Sequence, residues 1–423
     1  MLQNSKAEGI FKYTTTGKNT AIIFLDKGIS IALHRALEEM PELSENLDGF
    51  VWYPETLSFG DVTIIGVPSF MGGYEYSPWK INAREDGLLT DKINEALTLL
   101  PRIFGESGHR VAITDPSLAN LRWIPDISIY DDIENVTAKN LKGYYTHRFK
   151  KEFPSESEKA IESFDFDILF RYGLFRVVLP KLRYAVYYNG GWWRDGRSNS
   201  YERALDVFPN LYYLKDLCLV DDGSDTLNIF MNETTHEEGA YTADLIPVSG
   251  QIQYSKEEIE KFGSYGNVSY MYAFLAAMKS ITVWIDYLKD MDVYDNTRII
   301  IVSDHGGTFR NSLFEEERME RYNPLLIVKD RDTRGPLAVS DEFMTNADVP
   351  TFVVRDIPDP VNPYLGLPIN SEEKNGPLFI YKAPGSQNRH GPANFTLGKA
   401  RPLLGHDIFR TSSWGEWEDV END

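Results

Sequence analysis

Short apolar runs rich in β-branched residues, each closed by a polar residue or Gly, alternate in this chain with longer stretches whose apolar positions recur at helical spacing. The first run is AIIFLDKG, where Ala21–Leu25 is continuously apolar and ends at Asp26, the pattern of a strand buried on both faces. ISIALHRALEEMPEL follows with helical periodicity and stops near Pro41. Asp61–Ile65 reads as the next strand, leading to Gly-Val-Pro and the pair Gly72 and Gly73. Asp91–Phe104 predicts a helix and His109–Thr114 a strand ending at Asp115-Pro116. Thr226–Met231 predicts a strand followed by NETTH, and Ser255–Lys289 is the longest helical pattern, with an aromatic and Met stripe that reads as core. RIIIVSDHGG is the most strand-like run of all, and NPLLIVKD is a further strand. Strands alternating with helices predict an α/β sheet with right-handed crossovers.

Two stretches depart from that alternation. Residues 151–215 hold aromatic, basic and glycine-rich pieces, including YYNGGWWRDGR, and read as a loop-rich insertion. From about Gly335 Pro, Asn and Gly cluster, and PLFIYKA, ANFTLGK and DIFRTSS are short strand candidates of a small antiparallel sheet. The expected architecture is a polar leader over 1–19 and an α/β domain over 20–335, with a large, mostly parallel central sheet and helices on both faces. A C-terminal extension over 336–423 carries the small antiparallel sheet.

Charge and cysteine usage narrow the function classes. The 423 residues include 43 basic and 64 acidic side chains, a formal net charge of −21. Nucleic acid is excluded as a partner, since phosphate-backbone binding draws on Lys and Arg, and an anionic membrane surface would repel such a chain as a whole. A local basic pocket for one phosphate group stays open. The single cysteine, Cys218, excludes an intrachain disulfide and any zinc site needing two or more thiolates. Apolar runs such as Ala21–Leu25 and Ile299–Val302 are far below the ~18 residues that span a bilayer, and the N-terminus lacks the apolar stretch of a signal peptide. The expectation is a soluble chain, either cytosolic or the soluble part of a membrane protein.

Ligands of open α/β sheets bind outside the carboxyl ends of the strands. Three such ends carry chemistry here: Asp26, the Thr63 segment, and Ser303-Asp304-His305-Gly306. Oxygen and imidazole ligands suit Zn or Mn. Alone, Asp304-His305 reads equally as a capping Asp beside a surface His, and Thr63 as the cap of a helix that starts between Gly60 and Pro68.

The segments AIIFLDKG, FGDVTIIGVPSFMGG, MNETTHEEG, YDNTRIIIVSDHGG and NPLLIVKD occur in the order found in the alkaline phosphatase/sulfatase superfamily. Over most of Thr20–Pro350 the chain resembles its membrane-anchored phosphotransferase branch, the lipoteichoic acid synthases (phosphoglycerol transferases) and phosphoethanolamine transferases. The resemblance implies an alkaline phosphatase-like fold and one divalent metal ion, Mn or Zn, held by Asp26, Thr63, Asp304 and His305. It implies Thr63 as the nucleophile, His236 as a contact of the transferred phosphate group, and Arg122 and Trp123 as headgroup contacts. It further implies a phospholipid headgroup donor, an envelope glycan or lipid acceptor, and a place at the extracytoplasmic face of a membrane, anchored by transmembrane helices outside this chain.

Departures from the family refine this. No Cys or Ser followed by x-Pro-x-Arg stands at Thr63, so sulfate-ester hydrolysis through formylglycine is not expected. Paired cysteines beside the nucleophile are absent, and GTFRNSLFEEERMERYNPLL holds no further His, which implies a single metal. A phosphodiesterase, phosphatase or sulfatase-type hydrolase is the alternative, and a non-catalytic sensor domain of the same fold is another. Trp192, Trp193 and Arg194 form a second aromatic-basic cluster, and His34, His109, His147, His390 and His406 are assigned to structure.

Overall fold

The structure, a computed structural model, describes residues 9–154, 166–187, 200–310, 312–383 and 392–421. Its strands in chain order begin with β1 (Phe11–Thr14), β2 (Asn19–Leu25), β3 (Phe50–Trp52), β4 (Thr56–Leu57) and β5 (Arg110–Thr114). They continue with β6 (Val136–Lys139), β7 (Cys218–Asp221), β8 (Thr226–Asn232), β9 (Thr297–Val302) and β10 (Leu326–Lys329). The last are β11 (Ala338–Val339), β12 (Met344–Thr345), β13 (Leu378–Lys382), β14 (Lys399–Leu403) and β15 (Glu418–Asp419). Eight of them form one sheet in the order β11-β3-β10-β9-β2-β8-β5-β6. The run β9-β2-β8-β5-β6 is parallel throughout. The α/β architecture and the mostly parallel sheet are those expected, and β13, β14 and β15 make the small C-terminal antiparallel sheet.

β2 lies inside this sheet, and every residue of it is buried. Ala21, Ile23 and Leu25 face one core with the helices Ser30–Glu39, Ser200–Tyr212 and Tyr265–Asp290. Ile22 and Phe24 face the other core, with Thr63–Gly72, Leu89–Glu106 and Val349–Val354. A strand covered on both sides cannot alternate polar and apolar, which is why it reads as one apolar run. The Tyr265–Asp290 helix is long and apolar enough to cross a membrane, but 89% of its apolar window is buried inside the protein.

Several elements differ from expectation. The leader contributes β1, which pairs in parallel with β7 in a two-stranded sheet. Asp61–Ile65 is not a strand, because Thr63 already opens a helix. The long helical pattern is two helices, Lys256–Phe262 and Tyr265–Asp290, separated at Gly263, whose φ of 87° only Gly adopts cheaply. β10 runs antiparallel to β9, since the chain returns directly to the sheet without a crossover helix. The segment expected to be loop-rich is helical in its described parts, over Phe166–Val177, Pro180–Tyr187 and Ser200–Tyr212. Trp192, Trp193, Arg194 and His390 lie outside the described residues. Of the late strand candidates, PLFIYKA becomes β13, whereas Phe395 and Leu397 pack into the core and the next strand starts at Lys399.

Candidate active site

Strand register brings the site together. Phe24 of β2 is level with Val302 of β9, and Leu25 with Asn232 of β8. Asp26, Ser303-Asp304 and Glu233 therefore leave three adjacent strands at the same edge. Each turn is tied down. Asp26 N–H donates to the Asn232 carbonyl at 2.9 Å, and Thr235 Oγ1 donates to the Asp26 carbonyl at 2.6 Å. Lys27 takes a left-handed φ of 60°, which turns its N–H onto Asp304 Oδ1 at 3.2 Å. A non-Gly residue in that region is strained, and here the strain aims a donor at the site.

Thr63 arrives from the other side. It is the first residue of the Thr63–Gly72 helix, one position past its N-cap Val62, and its hydroxyl faces His305 instead of the helix backbone. The helix packs backbone against backbone on the loop after β9. A Cβ on Gly66 would lie 2.4 Å from the Asp304 carbonyl oxygen, so only Gly permits that approach. Asn346 Nδ2 donates to the same carbonyl at 2.7 Å.

These elements converge on His305 Nε2. Thr63 Oγ1 lies 3.4 Å from it, Asp304 Oδ2 3.5 Å and Asp26 Oδ1 3.9 Å. Ligand atoms of Asp26, Asp304 and His305 lie within 4.8 Å of one another, and all three residues are buried. The His305 Nδ1 faces the Gly306 carbonyl at 2.6 Å. A carbonyl can only accept, so Nδ1 carries the proton and Nε2 presents a lone pair. Asp26 Oδ1 and Asp304 Oδ2 are buried without a hydrogen-bond partner. Three lone-pair groups aimed at one buried point repel each other unless a cation sits between them. The donor set fits one divalent metal of borderline character.

The electrostatics agree. Burial, then the charge of Asp304, pushes the Asp26 carboxyl up to about 7. Burial pushes Asp304 up to about 6, against the N–H groups of Lys27 and His305 that favour its charged form. Burial holds the His305 imidazole below its ordinary range, so it stays neutral and ligand-ready. His236 behaves oppositely. It follows β8, its side chain is 50% exposed, and its hydrogen bond to Glu237 lifts it to about 9, with Asp26 adding to the effect. Burial pushes Glu237 upward, yet its bonds from His236 and Arg203 win and hold it low.

The structure thus brings Asp26, Thr63, Asp304 and His305 to one point, with His236 within electrostatic reach of Asp26. It does not bring Arg122 or Trp123 there. Both are on the surface loop after β5, where Trp123 is 71% exposed and Arg122 pairs with Asp126 at 2.8 Å. Asp61 and Arg321 were not singled out in the sequence. Asp61 is buried two residues before Thr63, has an orphan Oδ1, acts on the His305 charge, and pairs with Arg321 at 3.3 Å. Its signal was its place in FGDVT; Arg321 had none.

No protein-family profile matches the chain, and no curated protein matches it. Solved structures do. An alkaline phosphatase superfamily protein from Vibrio parahaemolyticus is similar at 12% identity and a TM-score of 0.46, over 97% of this chain and 84% of that one. The lipoteichoic acid synthase LtaP from Listeria monocytogenes is similar at 10% identity and a TM-score of 0.44, over 92% and 82%. The C-terminal periplasmic domain of EptC from Escherichia coli is similar at 9% identity and a TM-score of 0.41, over 90% and 92%. Phosphonate monoester hydrolases and sulfatases are among the others. The solved structures thus include members of the superfamily that the sequence segments resemble, and the functional reading rests on the site itself.

Proposed function

We propose that this chain is a metal-dependent phosphotransferase of the alkaline phosphatase superfamily. It moves a phospho-alcohol headgroup, phosphoglycerol or phosphoethanolamine, from a lipid to an envelope glycan or lipid acceptor at the extracytoplasmic face of a membrane. One arrangement carries the reading: a half-buried Thr63 hydroxyl at a helix head, 3.4 Å from an imidazole lone pair that also faces two orphan carboxylate oxygens.

A manganese or zinc ion held by Asp26, Thr63, Asp304 and His305 would supply Lewis-acid chemistry, favouring the Thr63 alkoxide and offsetting charge on the phosphoryl group. Thr63 Oγ1 attacks phosphorus; the new O–P bond forms as the bond to the lipid alcohol breaks, and diacylglycerol leaves with a proton. The amino end of the Thr63–Gly72 helix favours the negative charge gathered there. His236, raised to about 9 and so protonated at neutral pH, donates to a phosphoryl oxygen. The acceptor hydroxyl then attacks the same phosphorus and Thr63 is regenerated. Water in place of the acceptor makes the site a phosphodiesterase, and the half-exposed His236 leaves the mouth open to it.

The experiment is turnover of a 4-nitrophenyl phosphodiester with mass spectrometry of the Thr63 peptide. A phospho-alcohol adduct on Thr63, absent from Thr63→Ala, is expected. Turnover with no adduct, and an equally active Thr63→Ala, would remove the reading.

A further inference from the structure

One described segment reverses the acidic character of the chain. Residues 166–187 hold four basic side chains and one acidic one, within a chain of net charge −21. They form two successive helices, Phe166–Val177 and Pro180–Tyr187. Arg183 joins them: its guanidinium donates to the carbonyls of Arg176 and Val178 at 2.9 and 3.1 Å, closing the end of the first helix. Phe170, Leu174 and Val177 recur at i, i+4 and i+7 and so lie along one helix face. Together with Leu179 and Leu182 they are between 42% and 77% exposed. Large apolar side chains exposed along one short segment mark an interaction surface.

The next described helix, Ser200–Tyr212, begins against the loop that follows His236: a Cβ on Gly239 would lie 2.6 Å from Ser200 Oγ. Arg203 of the same helix pairs with Glu237. The loop after β5, at the same end of the sheet, exposes Trp123 and Ile124.

We infer that this pair of helices docks on an anionic phospholipid surface, its apolar side chains entering the headgroup–acyl boundary and its basic residues lying at phosphate level. Apolar insertion and electrostatic attraction are the two contributions that interfacial helices combine. Charge complementarity selects the occupant. Fields decay over ~8 Å at physiological salt, so a membrane touching these helices meets their local positive charge rather than the net charge of the whole chain. A second copy would instead set two positive helix pairs and two strongly negative bodies together. The contact goes beyond the Thr63 chemistry and is read without turnover, so the two stand or fall separately.

The test is flotation of the whole chain with vesicles of phosphatidylglycerol and phosphatidylcholine, and with phosphatidylcholine vesicles alone. Binding to the anionic vesicles is expected to exceed binding to the neutral ones by about tenfold or more, and to weaken in high salt. The triple variant Phe170→Asp, Val177→Asp, Leu182→Asp should lose about tenfold or more of that binding with unchanged circular dichroism. Charge reversal at Lys181 and Arg176 (Lys181→Glu, Arg176→Glu) should lower anionic binding alone, and it decides the matter if the triple variant does not fold. Equal wild-type binding to both vesicle types, or undiminished binding of the variants, would overturn the inference. So would a wild-type dimer in sedimentation equilibrium that the triple variant splits, which would give the face to a second copy.

Discussion

The hydroxyl of Thr63 and the carboxyl of Asp304 contribute unequally to stability, the first little and the second a cost, and that contrast can be measured. Thr63 caps nothing, so Thr63→Ala should shift stability by less than about 1 kcal/mol while abolishing turnover. Denaturant titration beside a phosphodiester assay reads both. Asp304 is a cost to the metal-free fold. Asp26 and Asp304 titrate at about 7 and about 6 in the folded state, above the 3.8 of an ordinary Asp, so the folded protein holds extra protons between those values. Metal-free stability should therefore be greatest near pH 4 and fall as pH rises to about 7 while these two ionise, and His236, raised to about 9, extends the fall to about pH 9. Asp304→Asn removes one of these ionisations, keeps an oxygen for the N–H groups of Lys27 and His305, and offers an N–H to His305 Nε2. The metal-free variant should be more stable than metal-free wild type by about 2 kcal/mol at pH 8, with the gap closing near pH 4. Its measurable companion is lost metal binding.

A single strand, β9, divides stability from chemistry between its ends. Arg298, near its amino end, is buried and bonded to Asp330 and Asp356, locking β9 to residues beyond β10. Asp304 and His305 follow its carboxyl end. Arg298→Met removes one of two arginine partners from each carboxylate, since Asp330 keeps Arg355 and Asp356 keeps Arg331, and should cost about 1 kcal/mol in chemical denaturation, with metal affinity per folded molecule unchanged. Strands buried on both faces were legible in the sequence, because the stretches Ala21–Leu25 of β2 and Ile299–Val302 of β9 are continuously apolar up to their carboxyl ends. That end is where Asp26 and Asp304-His305 stand. Other elements were not. NPLLIVKD reads alike in either direction, so the reversal of β10 depends on the return path of the chain. VTIIGVPS has the β-branched look of a strand, yet contact through Gly66 with the Asp304 loop makes it a helix. The pairing of Asp61 with Arg321 had no spacing to announce it, since only the fold places residue 321 beside residue 61.

Across the molecule, the site is a junction of separate parts: three strand ends and the head of a helix from the opposite face. An unfolded chain offers no such junction, so added divalent metal binds the native state almost exclusively. Manganese or zinc at about a hundredfold over its dissociation constant should stabilise metal-free wild type by about 2.7 kcal/mol, read as a raised thermal midpoint that a chelator reverses. Asp304→Asn should show no such rise. The strand ends and Thr63 were readable from ordered segments, whereas the surface positions of Arg122 and Trp123 were set by the course of a loop that no pattern specifies.

The neighbour relation of β2 with β9 also governs order in time. β2 and the Thr63 helix leave the ribosome early, but the Asp304-His305 loop comes from a strand near the last third of the chain. Until β9 slots in beside β2, Asp26 faces an open sheet edge and Thr63 has no ligand partners. A chain that ends before β9 should therefore bind no divalent metal at this point, which equilibrium dialysis of a truncated chain would check. On the proposed reading, metal would be acquired only once the sheet is finished, late in biogenesis.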